Sequence, residues 1–230
     1  MRLYNNLINE IKDSLSNSNV LSTGKSLDVS NKNSVIFLSD SAFELGGSQK
    51  PCISSLAISS DIKFSNSVYL LGNDLDKIKS DSPFGKFVLL QIEAFANEQD
   101  TFNKIKELEA LRYHLNVDGF MTRASALNMR EQIRVSKKAI KSGITFADYG
   151  QTLLNEYLKF DYVKRAEIYF VTDFDDFEKL NSVAKKISQT TSALNHIFDN
   201  VMFDCSTCNL KEICDEVDGL KELHLKTVKK

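Results

Sequence analysis

Three of the four cysteines fall within ten positions near the C-terminus, as Cys205, Cys208 and Cys214, and the residues between them are mostly polar. This C-x2-C-x5-C pattern constrains the chain more than any other feature, because two thiols separated by two residues reach one ion without strain. Thiolates are soft ligands that suit an iron–sulfur cluster or zinc, whereas magnesium and calcium prefer carboxylates. His224 follows Cys214 after a nine-residue spacer and is the candidate fourth ligand, with Cys52 a distant alternative that only the fold can deliver. Spacing alone admits a Cys3His zinc site as readily as a cluster. The competing reading is buried, idle thiols, since cysteine is among the most buried residue types, but a polar segment gives core packing little to work with. Cysteines grouped this way read as ligands or reactive thiols kept reduced, not as a disulfide framework.

At 230 residues and 42% hydrophobic, the chain can bury a substantial core. Its 29 basic and 31 acidic side chains leave a net charge of −2, which supplies no general attraction to a polyanion, so nucleic acid is not an expected partner. No apolar run near Met1 has the length of a signal core, and the longest apolar segments fall far short of the roughly 20 residues that span a bilayer. The expectation is a cytoplasmic protein with no membrane contact.

Hydrophobic spacing predicts an amphipathic helix over residues 2–16, followed by a Ser- and Asn-rich linker over 14–34. Short β-branched and aromatic runs then predict strands at 35–38, 68–71 and 87–95, the second ending in a Gly72-Asn73-Asp74 turn. Asp100 is the expected cap of a helix over 101–115 that Gly119 breaks. Thr145 with Asp148, and Thr172 with Asp175, form capping-box patterns that predict helices over 145–159 and 173–190, on either side of a strand at 165–171. A shorter helix is expected over 191–202. The fold class is α+β: a small mixed sheet with flanking helices and a C-terminal cysteine-rich metal-binding segment. The expected divisions are 1–34 (helix and linker), 35–200 (α+β domain) and 201–230 (metal-binding segment).

Four of the six arginines, Arg112, Arg123, Arg130 and Arg134, lie close together, and Lys137, Lys138 and Lys141 extend the basic stretch. Guanidinium groups suit phosphate oxygens, so Arg123, Arg130 and Arg134 are candidate cofactor contacts. The alternative is a solvated, charge-laced helix face. His114 and His196 stand on predicted helices without a partner at metal-ligand spacing and are assigned ordinary roles. Asp173, Asp175 and Asp176 are explained by dipole compensation in a first helical turn. Walker A loops, dinucleotide-binding glycine patterns and G-x-S-x-G elbows do not occur.

Several short segments, read in order, resemble the middle domain of acetyl-CoA synthase, the β subunit of the CO dehydrogenase/acetyl-CoA synthase complex. Phe43-Glu44-Leu45-Gly46-Gly47 is similar to that family's FGG-containing strand start, and Val68 to Asp74 to its VxxxGxD turn. Arg134-Val135-Ser136-Lys137-Lys138-Ala139, Gly143, and Gly150-Gln151 with Leu153-Leu154 resemble its R-[IV]-S-K-x-A and G-Q-L-L stretches. The strand Ile168 to Asp173 is similar in character and position. The family continues with C-x2-C-x8-C-x9-C, which carries the 4Fe–4S part of its nickel–iron cluster. Cys205, Cys208 and Cys214 match its first three cysteines across a shorter middle spacer, and His224 stands at the fourth. The resemblance implies an iron–sulfur protein holding a 4Fe–4S cluster, a corrinoid iron–sulfur protein or other redox partner, and a coenzyme A contact through the arginines. The 230 residues contain no Cys-Gly-Cys, the family's distal-nickel motif, and do not show its N-terminal docking domain. Acyl transfer by this chain alone is therefore left open, and a non-enzymatic zinc-binding or accessory module is the alternative.

Overall fold

The computed structural model describes residues 2–30, 41–47, 50–125, 130–175, 177–198, 208–217 and 219–228, and leaves aside the side chains of residues 30, 124, 125, 130, 227 and 228. The strand expected at 35–38 lies outside the described residues. The chain opens with α1 (Asn5–Ser14), then two short strands, β1 (Asn19–Val20) and β2 (Val29–Ser30), in the segment expected to be a loop. Strands β3 (Ala42–Leu45), β4 (Cys52–Ser59), β5 (Ser67–Leu71) and β6 (Phe84–Ile92) lead to α2 (Glu98–His114). Next come β7 (Asn116–Val117), β8 (Phe120–Ser125), β9 (Arg130–Ser136), α3 (Lys137–Lys141), α4 (Phe146–Tyr157) and β10 (Val163–Val171). Helices α5 (Phe177–Phe198), α6 (Lys211–Glu216) and α7 (Leu220–Val228) complete the described chain.

Five strands form a mixed sheet in the order β1-β5-β10-β6-β4. β10 runs parallel to β5 and antiparallel to β6, while β4 runs parallel to β6. From Ala166 to Val171 every residue of β10 is buried at both parities, so both faces of this central strand are covered. An antiparallel sheet, β3-β9-β8, and a two-stranded pair, β2-β7, stand beside it. The α+β class with a mixed sheet and flanking helices is what the sequence predicts. No helix among the described residues is long and apolar enough to cross a membrane.

The motif segments that carry the family resemblance meet in space. Gly72 has φ +107°, and a Cβ there would stand 2.5 Å from the Asp173 amide nitrogen, so the turn after β5 requires glycine. Two residues on, the Asp74 carboxylate accepts from Leu75 N (2.7 Å) and from Phe146 N (2.9 Å), tying that turn to the start of α4. Gly150 lies against Val68, where a Cβ would come within 2.4 Å of the valine methyl, so α4 sits on β5 at glycine distance. Glu44 and Arg134 are register partners on β3 and β9 and form an ion pair of 3.2 Å. Ser136 then caps α3 by accepting from Ala139 N.

Helix starts follow local capping chemistry, with two corrections. α4 has the full capping box, with Thr145 Oγ1 accepting from Asp148 N and the Asp148 carboxylate accepting from Thr145 N. α2 is capped by Asn97, whose side chain accepts from Asp100 N, so Asp100 is the capped position and not the cap. Thr172 does not start α5; its hydroxyl donates to Asn73 O (2.8 Å), and the helix begins at Phe177. The two helices expected over 173–190 and 191–202 form one as far as Phe198, because Leu180, Val183, Ala184, Ile187, Leu194 and Ile197 are buried along a single face, and residues 199–202 lie outside the described residues.

Helix α1 joins the same core. The Tyr4 hydroxyl bonds Thr191 Oγ1 (2.8 Å), and Lys12 donates to the buried Glu167 (2.9 Å). Glu167 also accepts from Ser65 N, Ser65 Oγ and Tyr169 OH, so its charge is well solvated by the protein.

Candidate metal centre

The C-terminal segment is held to the body by apolar anchors. Leu210, Ile213, Val217 and Leu220 are buried in the common core, and α6 and α7 both pack on α5. Between these three helices lies a cavity of about 210 Å³. Cys208 and Cys214 line it from the start of α6 and from α6 itself, His224 from α7 and His196 from the last turn of α5, with Ile197 and Leu210 between them. Cys208 and Cys214 are thiols, partly buried against the core.

The rim is electrostatically organised. Asp215 accepts from Lys211 (2.7 Å) and from Lys221 (2.8 Å), joining α6 to α7. Those two hydrogen bonds, with the lysine charges behind them, hold its carboxyl down to about 2. Asp215 is thus occupied by lysines and adds no uncommitted carboxylate to the cavity.

Three of the four expected ligands, Cys208, Cys214 and His224, therefore share one cavity, and Cys205 lies outside the described residues. Among the described residues, no three His, Cys, Asp or Glu side chains are grouped closely enough to hold a metal ion. Cys52 is not among the residues lining the cavity; it begins β4, paired with Phe84 and packed against Gly46. His196, given an ordinary role from the sequence, also lines the cavity. It lies 28 residues before His224, a separation with no ligand pattern, and the packing of α7 on α5 brings both histidines to the lining of one cavity. The donor types present, two thiols and two imidazoles within an apolar surround, fit a soft or borderline metal.

The arginines occupy different environments. Arg134 is buried and the Arg112 side chain is only 8% exposed, so neither lies on a solvated face. Arg134 pairs with Glu44, Arg123 is exposed on β8, and Arg130 begins β9 opposite Ser125. Arg112 joins a charge cluster that the sequence reading did not identify. Glu131, fully buried on β9, receives Lys86 Nζ on one carboxylate oxygen and Arg112 (3.3 Å) and Ser54 Oγ (3.0 Å) on the other. Arg112 also donates to Ser54 Oγ. Burial works to raise the Glu131 carboxyl, but the charges of Lys86 and Arg112 outweigh it and hold the group below the usual carboxylate range. Burial depresses the Lys86 ammonium against the pull of Glu131. A lone lysine inside the buried apolar run Phe84–Ile92 is the signal that pointed here, since buried lysine is almost always paired.

The fold and site define a mixed α+β domain whose C-terminal helices enclose a cavity lined by thiols and imidazoles. The chain belongs to the family of the CO dehydrogenase/acetyl-CoA synthase complex beta subunit, whose model matches residues 32–177. That match takes in β3 to β10 and stops at the first residue of α5, ahead of the cysteine-rich segment. No curated protein matches the chain.

Proposed function

We propose that this chain is an iron–sulfur-binding relative of acetyl-CoA synthase that works in a reducing cytoplasm. It holds a 4Fe–4S cluster through Cys205, Cys208 and Cys214, with His224 at the fourth ligand position, and its 230 residues contain no Cys-Gly-Cys motif. The observation that carries this reading is the single cavity shared by Cys208, Cys214 and His224. A cluster bound there supplies one-electron chemistry, and a histidine ligand changes its charge and potential relative to four cysteines. The chain's own contribution is positional. α5 walls the cavity, the apolar residues between the ligands limit water, and the Lys211–Asp215–Lys221 bridge holds α6 and α7 together. Arg123, Arg130 and Arg134 are the candidate coenzyme A contacts, and a corrinoid iron–sulfur protein or another redox protein is the candidate partner.

A second reading is a structural zinc site in a non-enzymatic or accessory module. His196 favours it, because a second histidine lining the same cavity adds a donor type that suits tetrahedral zinc.

Anaerobic purification followed by iron, sulfide and zinc analysis, with Mössbauer and EPR spectra of the reconstituted protein, separates the two readings. The cluster reading expects iron and sulfide in equal amounts, a visible absorbance that bleaches in air, and loss of both in Cys208→Ser and Cys214→Ser. One equivalent of zinc, tolerance of air and no cluster after reconstitution would sink it and leave the zinc site standing.

A further inference from the structure

We propose that the recess bounded by α2, β4 and α5 is a binding site for a small oxyanion, held by Arg112 and by serine hydroxyls of β4 and α5. The recess measures about 240 Å³ and is lined by Ser54 and Ser55 of β4, Arg112 of α2, and Ser188, Ser192 and Asn195 of α5. It shares no lining residue with the cysteine cavity, so the proposal stands independently of the metal.

Hydrogen-bonding capacity points to an acceptor-rich ligand. The contacts of Arg112 to Glu131 and Ser54 use Nε and Nη2, and Nη1 takes part in none of them. Ser55 is nine-tenths buried, and its Oγ has no hydrogen-bond partner among the described residues. A buried hydroxyl left unmade costs about 1–3 kcal/mol, which an oxyanion in the recess would recover. Guanidinium, hydroxyl and carboxamide groups are all donors to such a ligand.

Charge points the same way. Lys86 and Arg112 both converge on the one carboxylate of Glu131, which leaves the buried cluster with more cationic than anionic groups. The other acid at the recess is Glu109, three residues before Arg112 on the same helix, and burial pushes its carboxyl up against the pull of Arg112. An anion beside Arg112 would meet the edge of the guanidinium that its contacts to Glu131 and Ser54 leave unused. Size then limits the ligand. The recess holds the volume of about eight waters at ~30 Å³ each and falls below the ~300–1,000 Å³ of pockets that enclose drug-sized molecules. A small carboxylate or a tetrahedral oxyanion fits; a nucleotide-sized cofactor does not.

The test uses the full chain in chloride buffer at constant ionic strength, titrated with sodium acetate in one arm and sodium phosphate in the other. Thermal melting and calorimetry are the readouts. A saturable rise in Tm that chloride does not reproduce is expected in one arm, and that arm identifies a planar or a tetrahedral ligand. Removing one hydrogen bond in Ser55→Ala or Ser192→Ala should weaken binding roughly 2–10-fold with an unchanged circular dichroism spectrum. Arg112→Gln should abolish binding, but it also strips a partner from Glu131, so the two serine variants decide the matter. A Tm that does not change as acetate or phosphate replaces chloride, or unchanged affinity in both serine variants, overturns the proposal.

Discussion

Glu131 lies between two cations with no exposed surface, so its ionisation is tied to the integrity of β4, β6, β9 and α2 together. Its folded-state pKa is lowered, so around and below the ordinary carboxylate range the unfolded chain binds a proton that the folded one does not. The stabilisation is therefore present above that range and lost as pH falls through it. Urea midpoints should drop on acidification in the wild-type protein and drop less in Glu131→Gln, which has no carboxylate to protonate. At neutral pH the same substitution should cost about 3–5 kcal/mol, because it leaves Lys86 and Arg112 buried without their counter-charge. At this scale the sequence was legible in part. Lys86 stands out in an apolar strand, whereas nothing in the spacing of Ser54, Lys86, Arg112 and Glu131 announces that they meet.

Elements obeyed their local chemistry wherever that chemistry was complete. The reciprocal Thr145–Asp148 box caps α4, and Thr145→Ala should lower unfolding free energy by about 1 kcal/mol in denaturant titrations. Thr172 carries the same pattern but lies at the end of β10, where its hydroxyl finds a backbone carbonyl across the sheet, and α5 starts later. A side chain within reach of two backbone partners takes the one that the tertiary fold presents. Gly150 tests the α4–sheet contact, since a methyl group there collides with Val68 and the helix must move off β5. Gly150→Ala should cost roughly 1–3 kcal/mol despite its better helix propensity. A gain in stability would show that α4 does not sit on β5 at the distance described.

Across the whole molecule, the helices outside the family match close over the sheet and carry the candidate metal ligands. α5 links the two regions, touching β4 and α1 as well as α6 and α7. If the C-terminal cavity holds a metal, stripping it with a chelator should speed amide exchange in 211–228 and leave β6 and β10 protected, as monitored by mass spectrometry. Equal acceleration in the central strands would mean that the metal supports the entire fold. The α+β class, the C-terminal ends of β5 and β10 and the capping of α4 were legible in the sequence, because periodicity and capping act within a few residues. The same holds for the chemistry available to the cysteine segment, since ligand softness belongs to each side chain alone. Which histidines share a cavity with the thiols, which arginine is buried, and where a serine hydroxyl is left beside a cation were decided only when distant segments packed. Burial and charge pairing depend on neighbours that chain order does not specify.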